Sequence, residues 1–163
     1  GTPRGGTQAM SHERRQRHLK ILELVATRPL RTQDDLADAL NQEGWEVTQS
    51  SVSRDMAALG LIKIDGIYQR PAAARVHDIV DPNERRIAES LLSVETAGDA
   101  LLVLHTPPGE AQRVGSAIDL LAWSDVVGTI GGDDTIFLAT RNHVAQGHID
   151  RQLRALMGRD VGH

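Results

Sequence analysis

The chain has 163 residues, a net charge of −4 and 40% apolar residues, which describe a globular protein of one or two small domains rather than a disordered chain. It contains no cysteine, so disulfides, thiolate zinc sites, iron–sulfur clusters and cysteine nucleophiles are excluded. No apolar run reaches the length of a membrane span, and residues 1–10 lack the apolar stretch of a secretory signal. We therefore expect a cytoplasmic protein with no membrane partner.

Charge is distributed unevenly along the chain. Residues 1–75 carry 11 basic and 9 acidic side chains, whereas residues 76–163 carry 7 basic and 13 acidic ones. Within residues 1–31 there are 7 basic and 2 acidic side chains, and the basic ones include Arg14, Arg15, Arg17 and Lys20. Such a run is typical of a solvated arm and also of an arm that contacts DNA phosphates.

The first predicted helix starts at about Ser11 and ends before Pro29, because the residue that precedes proline avoids the helical region. Its apolar stripe is predicted to contain Leu19, Leu22 and Ala26, with Ile21 and Val25 beside it.

Two further helices and a hairpin follow. The second helix is predicted to begin at the N-cap Thr32, and the third runs from the N-cap Thr48 to Gly60. Asp65-Gly66 then separates two short apolar runs, which is a strong signal for a type I′ hairpin. Three helices and a hairpin predict a winged helix-turn-helix domain over residues 11–70. We place a linker at residues 71–81, which lack apolar periodicity.

Residues 82–163 predict a second domain of the α+β class. The element order is αββαββα, which indicates one antiparallel sheet with helices packed on it. The helices are predicted at about 82–92, 107–121 and 143–157, and the strands at about 93–96, 100–106, 126–130 and 136–140. In the middle helix, the residues expected to be buried are Ala111, Val114, Ile118 and Leu121.

The third helix carries the first candidate site. A recognition helix needs compact hydrogen-bonding side chains near its N-terminus and an arginine that can fork onto guanine. The outward face here carries Gln49, Ser50, Ser53 and Arg54. An ordinary amphipathic helix would show a similar polar face. The position of the third helix, after two helices and before a hairpin, nevertheless favours DNA binding.

The second candidate site lies in the acidic C-terminal half of the chain. Gln112 and Asp119 are two helical turns apart on one face, and the residues between them include the small Gly115 and Ser116. Asp133 and Asp134 follow two glycines in a turn, where adjacent carboxylates repel unless a cation neutralises them. These four acceptors on an acidic domain favour a small cationic ligand over a plain turn.

An enzyme is the alternative from another class, since Gly-Asp-Asp turns also hold divalent metals in nucleotide-processing enzymes. The chain has neither a third positioned carboxylate strand nor a phosphate-binding glycine loop. His143 and His148 are five residues apart, which does not place them on one helix face as ligands. We therefore predict neither catalysis nor a bound metal.

Four segments of the chain form a recognisable series. They are Gln33-Asp34-Asp35-Leu36, Val47-Thr48-Gln49-Ser50-Ser51-Val52-Ser53-Arg54-Asp55, His105-Thr106-Pro107-Pro108-Gly109-Glu110-Ala111-Gln112 and Gly128-Thr129-Ile130-Gly131-Gly132-Asp133-Asp134-Thr135. Together they resemble the bacterial arginine repressor family, in order along the chain from about Arg17 to Met157. Residues 1–10 match nothing in that pattern.

The resemblance implies a transcription regulator of arginine metabolism genes that binds palindromic operator DNA with L-arginine as corepressor. It further implies a hexamer made of two trimers, with arginine bound between the trimers. The implied arginine ligands are Gln112, Asp119, Thr129, Gly131, Asp133 and Asp134, and the implied base readers are Gln49, Ser50, Ser53 and Arg54. A regulator of the same fold that senses a different cationic metabolite remains the nearest alternative.

Two features depart from the family pattern. Gly131 stands where the family usually has alanine, and the hairpin is shorter than usual, with only Asp65-Gly66 at its tip. The remaining candidates for phosphate contacts from the wing are Lys63 and Arg70.

Overall fold

The computed structural model describes residues 12–74 and 76–158. The chain folds into two compact units, residues 1–69 and 70–163. Parts of three sequence predictions lie outside the described residues: the helix start at Ser11, Arg75 in the predicted linker, and the last five residues of the second domain.

The first unit contains the three predicted helices. They are α1 (His12–Thr27), α2 (Gln33–Gln42) and α3 (Gln49–Leu59). Thr32 and Thr48 both form capping boxes, and Gly60 ends α3 with a left-handed φ of 68°.

The buried face of α1 agrees with the predicted one in part. The buried residues are His18, Ile21, Leu22, Leu24 and Val25, of which the sequence predicts Ile21, Leu22 and Val25, whereas Ala26 is exposed. The apolar pattern does not include His18 because it discounts histidine, but the ring of His18 is paired with Asp55 and is therefore compatible with burial.

The wing is the hairpin of β1 (Ile62–Ile64) and β2 (Ile67–Gln69). Asp65 and Gly66 have φ values of 53° and 80°, as the predicted type I′ turn requires. The amide of Tyr68 donates to the carbonyl of Leu30 at 2.8 Å, which ties the wing to the segment after α1.

The second unit confirms the predicted αββαββα order. It contains α4 (Pro82–Ser90), β3 (Ser93–Ala97), β4 (Leu101–His105), α5 (Ala111–Leu121), β5 (Val126–Gly131), β6 (Thr135–Thr140) and α6 (His143–Leu156). The four strands form one antiparallel sheet in the order β3-β4-β6-β5.

The core of this unit lies on one face of the sheet. Alternate strand residues such as Leu102, Leu104, Ile136 and Leu138 are fully buried with apolar residues of the three helices. Leu121, expected to be buried, is only partly covered at the edge of this core. On the other side of β6 the side chain of Phe137 is 52% exposed, because each strand alternates its side chains between the two faces.

Residues 70–74 and 76–78 are part of the second unit. Two short 3-10 turns cover Pro71–Ala74 and Val76–Asp78, and Ala72 is 1% exposed. A Cβ on Gly158 would stand only 3.0 Å from the amide nitrogen of Ala72, so the chain after α6 passes close to this segment.

Candidate nucleic-acid interface and effector site

The outward face of α3 carries the four predicted base readers. Gln49, Ser50 and Arg54 are exposed and Ser53 is half-buried. Gln49 Nε2 donates to Asp34 Oδ1 at 2.9 Å, and a longer contact of 3.4 Å joins Gln33 Nε2 to Ser53 Oγ. These bonds join α2 to the N-terminal half of α3, which is the end that enters the major groove in a helix-turn-helix.

Arg54 is the one basic side chain on this face of α3. Within residues 12–74 and 76–158 it forms no salt bridge, so its guanidinium remains available for a bidentate contact. Its neighbour Asp55 is 1% exposed and accepts hydrogen bonds from Arg17 and His18.

Two basic side chains lie close to the wing tip, Lys63 on the wing itself and Arg31 on the segment between α1 and α2. Lys63 is exposed, and its ammonium group lies 5.1 Å from the centroid of the Tyr68 ring, its cross-strand partner. Arg31 was missed by sequence reasoning. Its Nη1 lies 3.8 Å from the position a Cβ on Gly66 would take. No local pattern joins residues 31 and 66, so only the fold shows that Arg31 lies beside the tip of the wing.

Arg70, the other wing candidate, is placed differently. Its Nη1 donates to the carbonyl of Leu91 at 2.6 Å and its Nη2 to the carbonyl of Glu89. These carbonyls lie at the C-terminus of α4, where cations are favoured. The structure therefore argues against a phosphate contact from Arg70.

Two members of the basic N-terminal run also have internal partners. Arg17 pairs with Asp55, and Lys20 contacts both Glu23 and Glu43. Part of the positive charge in residues 1–31 therefore stabilises the unit itself. The basic side chains of this run cannot all be counted as contacts to DNA.

The second candidate site lies along the line where α5 meets β5. Gln112 Nε2 donates to the carbonyl of Gly131 at 2.6 Å, and Thr129 Oγ1 donates to Asp119 at 3.0 and 3.2 Å. Gly115 lies between these contacts, where a Cβ would be 3.5 Å from Thr129 Oγ1. The structure thus brings four of the six predicted ligand residues into one line, which we call the α5–β5 seam.

The turn between β5 and β6 carries the other two predicted ligand residues, Asp133 and Asp134. The carbonyl of Asp133 accepts from the amides of Gly109 and Ala111 at 3.0 and 3.2 Å, which fixes the turn to the start of α5. The side chains of Asp133 and Asp134 are exposed, and Thr135 Oγ1 donates to Asp134 Oδ1 at 2.9 Å.

The three carboxylates of Asp119, Asp133 and Asp134 have no basic partner in the described part of the chain. Two of them accept only from threonine hydroxyls. Carboxylates left with neutral donors bind an added cation well, because charge-assisted bonds are shorter and stronger than neutral ones.

Gly131 keeps this turn close to α5. A Cβ at this position would stand 3.3 Å from the carbonyl oxygen of Ala111, closer than most such contacts. The missing methyl group therefore allows β5 to approach the first turn of α5, where Gln112 reaches the Gly131 carbonyl.

Among the described residues, no group of three or more His, Asp or Glu side chains is arranged to hold a metal ion. His143 and His148 have separate partners, Gln146 and Asp125. In the same residues, no helix combines the length and apolar character needed to cross a membrane.

Comparison with known proteins finds the same family for both units. Residues 12–70 match the family described as "Arginine repressor, DNA binding domain", and residues 87–155 match "Arginine repressor, C-terminal domain". The chain is 42% identical over 147 residues to proteins named arginine repressor from Bacillus cereus (strain AH187), Bacillus anthracis (strain CDC 684 / NRRL 3495) and Bacillus thuringiensis subsp. konkukian (strain 97-27). Each alignment covers 86% of this chain and 97% of the relative.

The fold and the family matches define a DNA-binding transcription regulator with a winged helix-turn-helix unit, and not an enzyme. The chain belongs to the arginine repressor family.

Proposed function

We propose that this chain represses genes of arginine metabolism by binding palindromic operator DNA when L-arginine occupies the α5–β5 seam and the adjoining turn. The observation that carries the effector assignment is the set of three exposed carboxylates with no basic partner in the described residues. Arginine presents a guanidinium that pairs with carboxylates through two parallel hydrogen bonds.

The proposed arginine ligands are those the family resemblance implies. The side chains of Asp133 and Asp134 are exposed in the turn, Asp119 and Thr129 form one end of the seam, and Gln112 with the Gly131 carbonyl forms the other. The internal bonds at both ends hold these groups in place before arginine arrives. When arginine binds, these bonds would be exchanged for bonds to the ligand.

The proposed operator contacts come from α3 and the wing. Gln49, Ser50, Ser53 and Arg54 read base edges, and Lys63 contacts a phosphate. The support is the exposure of these side chains on a helix-turn-helix. We assign residues 11–70 to this domain, residues 71–81 to a linker and residues 82–163 to arginine binding and assembly.

Assembly into a hexamer of two trimers is supported by exposed apolar side chains in the second unit. Ile130 and Phe137 are cross-strand partners, 79% and 52% exposed, and Leu120 and Val127 are 69% and 61% exposed. Contiguous exposed apolar surface marks interaction sites more than scattered side chains do, and the adjacent Ile130 and Phe137 support a second copy of this chain as the partner we propose.

A gel shift on palindromic A·T-rich DNA, with and without L-arginine, tests the function. Arginine should tighten operator binding more than binding to random DNA of the same length. A thermal-shift screen of other cationic amino acids and amines completes the test. If another cation stabilises the protein and tightens operator binding while arginine does neither, the chain is a regulator of this fold with a different effector.

A further inference from the structure

A buried ion-pair network joins α1 to α3. Arg17 donates from Nε to Asp55 Oδ2 at 2.5 Å and from Nη2 to Oδ1 at 3.1 Å. His18 Nε2 lies 2.9 Å from Asp55 Oδ1, and because a carboxylate only accepts, the ring nitrogen is the donor. Asp55 thus receives three bonds from two consecutive residues of one helix.

Stability alone does not explain this network. The first unit already has an apolar core that includes Ile21, Leu36, Leu40 and Val52, each fully buried. Taking a carboxylate and a guanidinium out of water costs several kcal/mol per ion, and the pair often does no more than recover that cost. Such a pair does, however, impose geometry, because two parallel bonds from a guanidinium fix both distance and orientation.

The network lies next to the base-reading face. Successive residues of a helix point about 100° apart, so Asp55 faces inward while Arg54 points outward. With side-chain tips about 6 Å from the helix axis, a rotation of α3 by about 20° would move the tip of Arg54 by about 2 Å. Specific sites need groups held within about 0.5 Å.

We propose that Arg17 and His18, acting through Asp55, are positioning residues that set the rotation of α3 and thereby the accuracy with which its outward face reads the operator. The inference rests on the proposed function, in which α3 reads bases. None of the three residues needs to touch DNA, and their effect is on discrimination between sequences more than on general affinity.

The first test is Asp55→Asn in the full-length protein, with fluorescence anisotropy on operator and random DNA. We expect operator affinity to fall about tenfold, which is about 1.4 kcal/mol. Affinity for random DNA should stay the same or rise slightly, because the variant removes one negative charge from the DNA-binding unit. A loss of folding would instead lower both affinities.

Glu43→Gln is the matched control. It removes one carboxylate charge from the same unit, where Glu43 is exposed and pairs with Lys20 and Arg28 rather than with Arg17 or His18. This variant should change affinity for the two DNAs by the same factor. The contrast between the two variants separates positioning from simple electrostatics.

A second variant, Arg17→Lys, keeps the positive charge but loses the two-bond fork. It should retain folding, checked by circular dichroism, and lose part of the discrimination. Arg17→Lys combined with Asp55→Asn should discriminate no worse than Asp55→Asn alone, because both changes disrupt one geometry.

The inference is overturned if Asp55→Asn and Arg17→Lys change operator and random affinities by equal factors while Arg54→Ala still reduces discrimination. If the unaltered protein does not discriminate at all, or Arg54→Ala changes nothing, the assignment of α3 as the reading helix fails instead. The two failures are therefore distinguishable in one set of titrations.

Discussion

Arg54 and Asp55 are adjacent in sequence but lie in opposite environments. Arg54 is exposed on the outward face of α3, whereas Asp55 is 1% exposed and bonded to α1. Helical periodicity places Arg54 on the outward face of α3, but it cannot show which distant residues Asp55 contacts. The structure shows that Asp55 is buried against Arg17 and His18, and it leaves Arg54 exposed on the face that we propose reads the operator.

Arg54→Ala should reduce discrimination between operator and random DNA by about 1–3 kcal/mol, the worth of a bidentate base contact. Competition gel shifts at fixed salt measure this directly. Equal weakening on both DNAs, accompanied by a shallower salt dependence, would identify Arg54 as a phosphate contact.

Asp133→Asn and Asp134→Asn should each weaken arginine binding by about 1–2 kcal/mol, because a charge-assisted bond becomes a neutral one. Isothermal titration calorimetry measures the loss, and citrulline, which is similar in shape but uncharged, should bind poorly to the unaltered protein.

Asp99→Asn is the control for these variants, since it neutralises an exposed carboxylate beyond the opposite end of the sheet. It should leave the affinity for arginine unchanged. Equal affinities for citrulline and arginine would show that the carboxylates do not recognise the guanidinium.

Among the elements, α3 depends on its capping residue. Thr48 Oγ1 accepts from the Ser51 amide at 3.2 Å, and Ser51 Oγ lies 3.3 Å from the Thr48 amide in the reciprocal bond. Capping of this kind holds the first turn of the helix, which is the turn that carries Gln49 and Ser50.

Thr48→Ala should destabilise α3 by about 1 kcal/mol, while Thr48→Ser, which keeps the hydroxyl, should cost less. Hydrogen exchange at the first-turn amides of α3 provides the measurement. Unchanged exchange in Thr48→Ala would mean that packing against α2, and not the cap, holds this turn.

The contact between α1 and α3 should be sensitive to acid. Burial raises the pKa of the Asp55 carboxyl, but hydrogen bonds and charges from Arg17 and His18 outweigh it and hold the pKa below its ordinary value of 3.8. A group with a lowered folded-state pKa stabilises the fold above its unfolded pKa, and this contribution disappears as pH falls through the folded value.

We therefore expect the free energy of unfolding to fall below about pH 4, and Asp55→Asn to lack that part of the pH dependence. Urea titrations from about pH 2 to about pH 6 compare the two proteins. Parallel curves for both would show that other carboxylates account for the acid sensitivity.

For the whole molecule, the main question is how arginine affects assembly. If arginine lies between copies of the chain, it binds the assembled state better and must stabilise it, and assembly must raise arginine affinity by the same factor. In such an assembly, the net charge of −6 in residues 76–163 would make a bound cation between the copies still more favourable.

Sedimentation of the full chain in a dilution series should show larger assemblies with arginine than without it. A fragment that starts at Arg70 should behave in the same way, because Arg70 and Ala72 pack within the second unit and a start at Asp81 would remove both. If arginine binds but mass is independent of it, the site lies within one copy.

Local patterns in the sequence determined a large part of this protein. Helical periodicity, two threonine caps and the Asp65-Gly66 turn predicted the winged unit, and strand alternation predicted the order αββαββα, because each signal depends on residues close together in the chain. The same patterns marked the outward face of α3 and the acidic turn as candidate sites.

Only the tertiary structure decided which distant residues meet. It placed Asp55 against Arg17, took Arg70 to the carbonyls of α4 and brought Arg31 beside the wing tip. The neighbours of a charged side chain in space decide whether it forms a buried ion pair, caps a helix or stays exposed and able to bind another molecule. Those neighbours lie 19 to 38 residues away in the two hydrogen-bonded cases, beyond the reach of any local pattern.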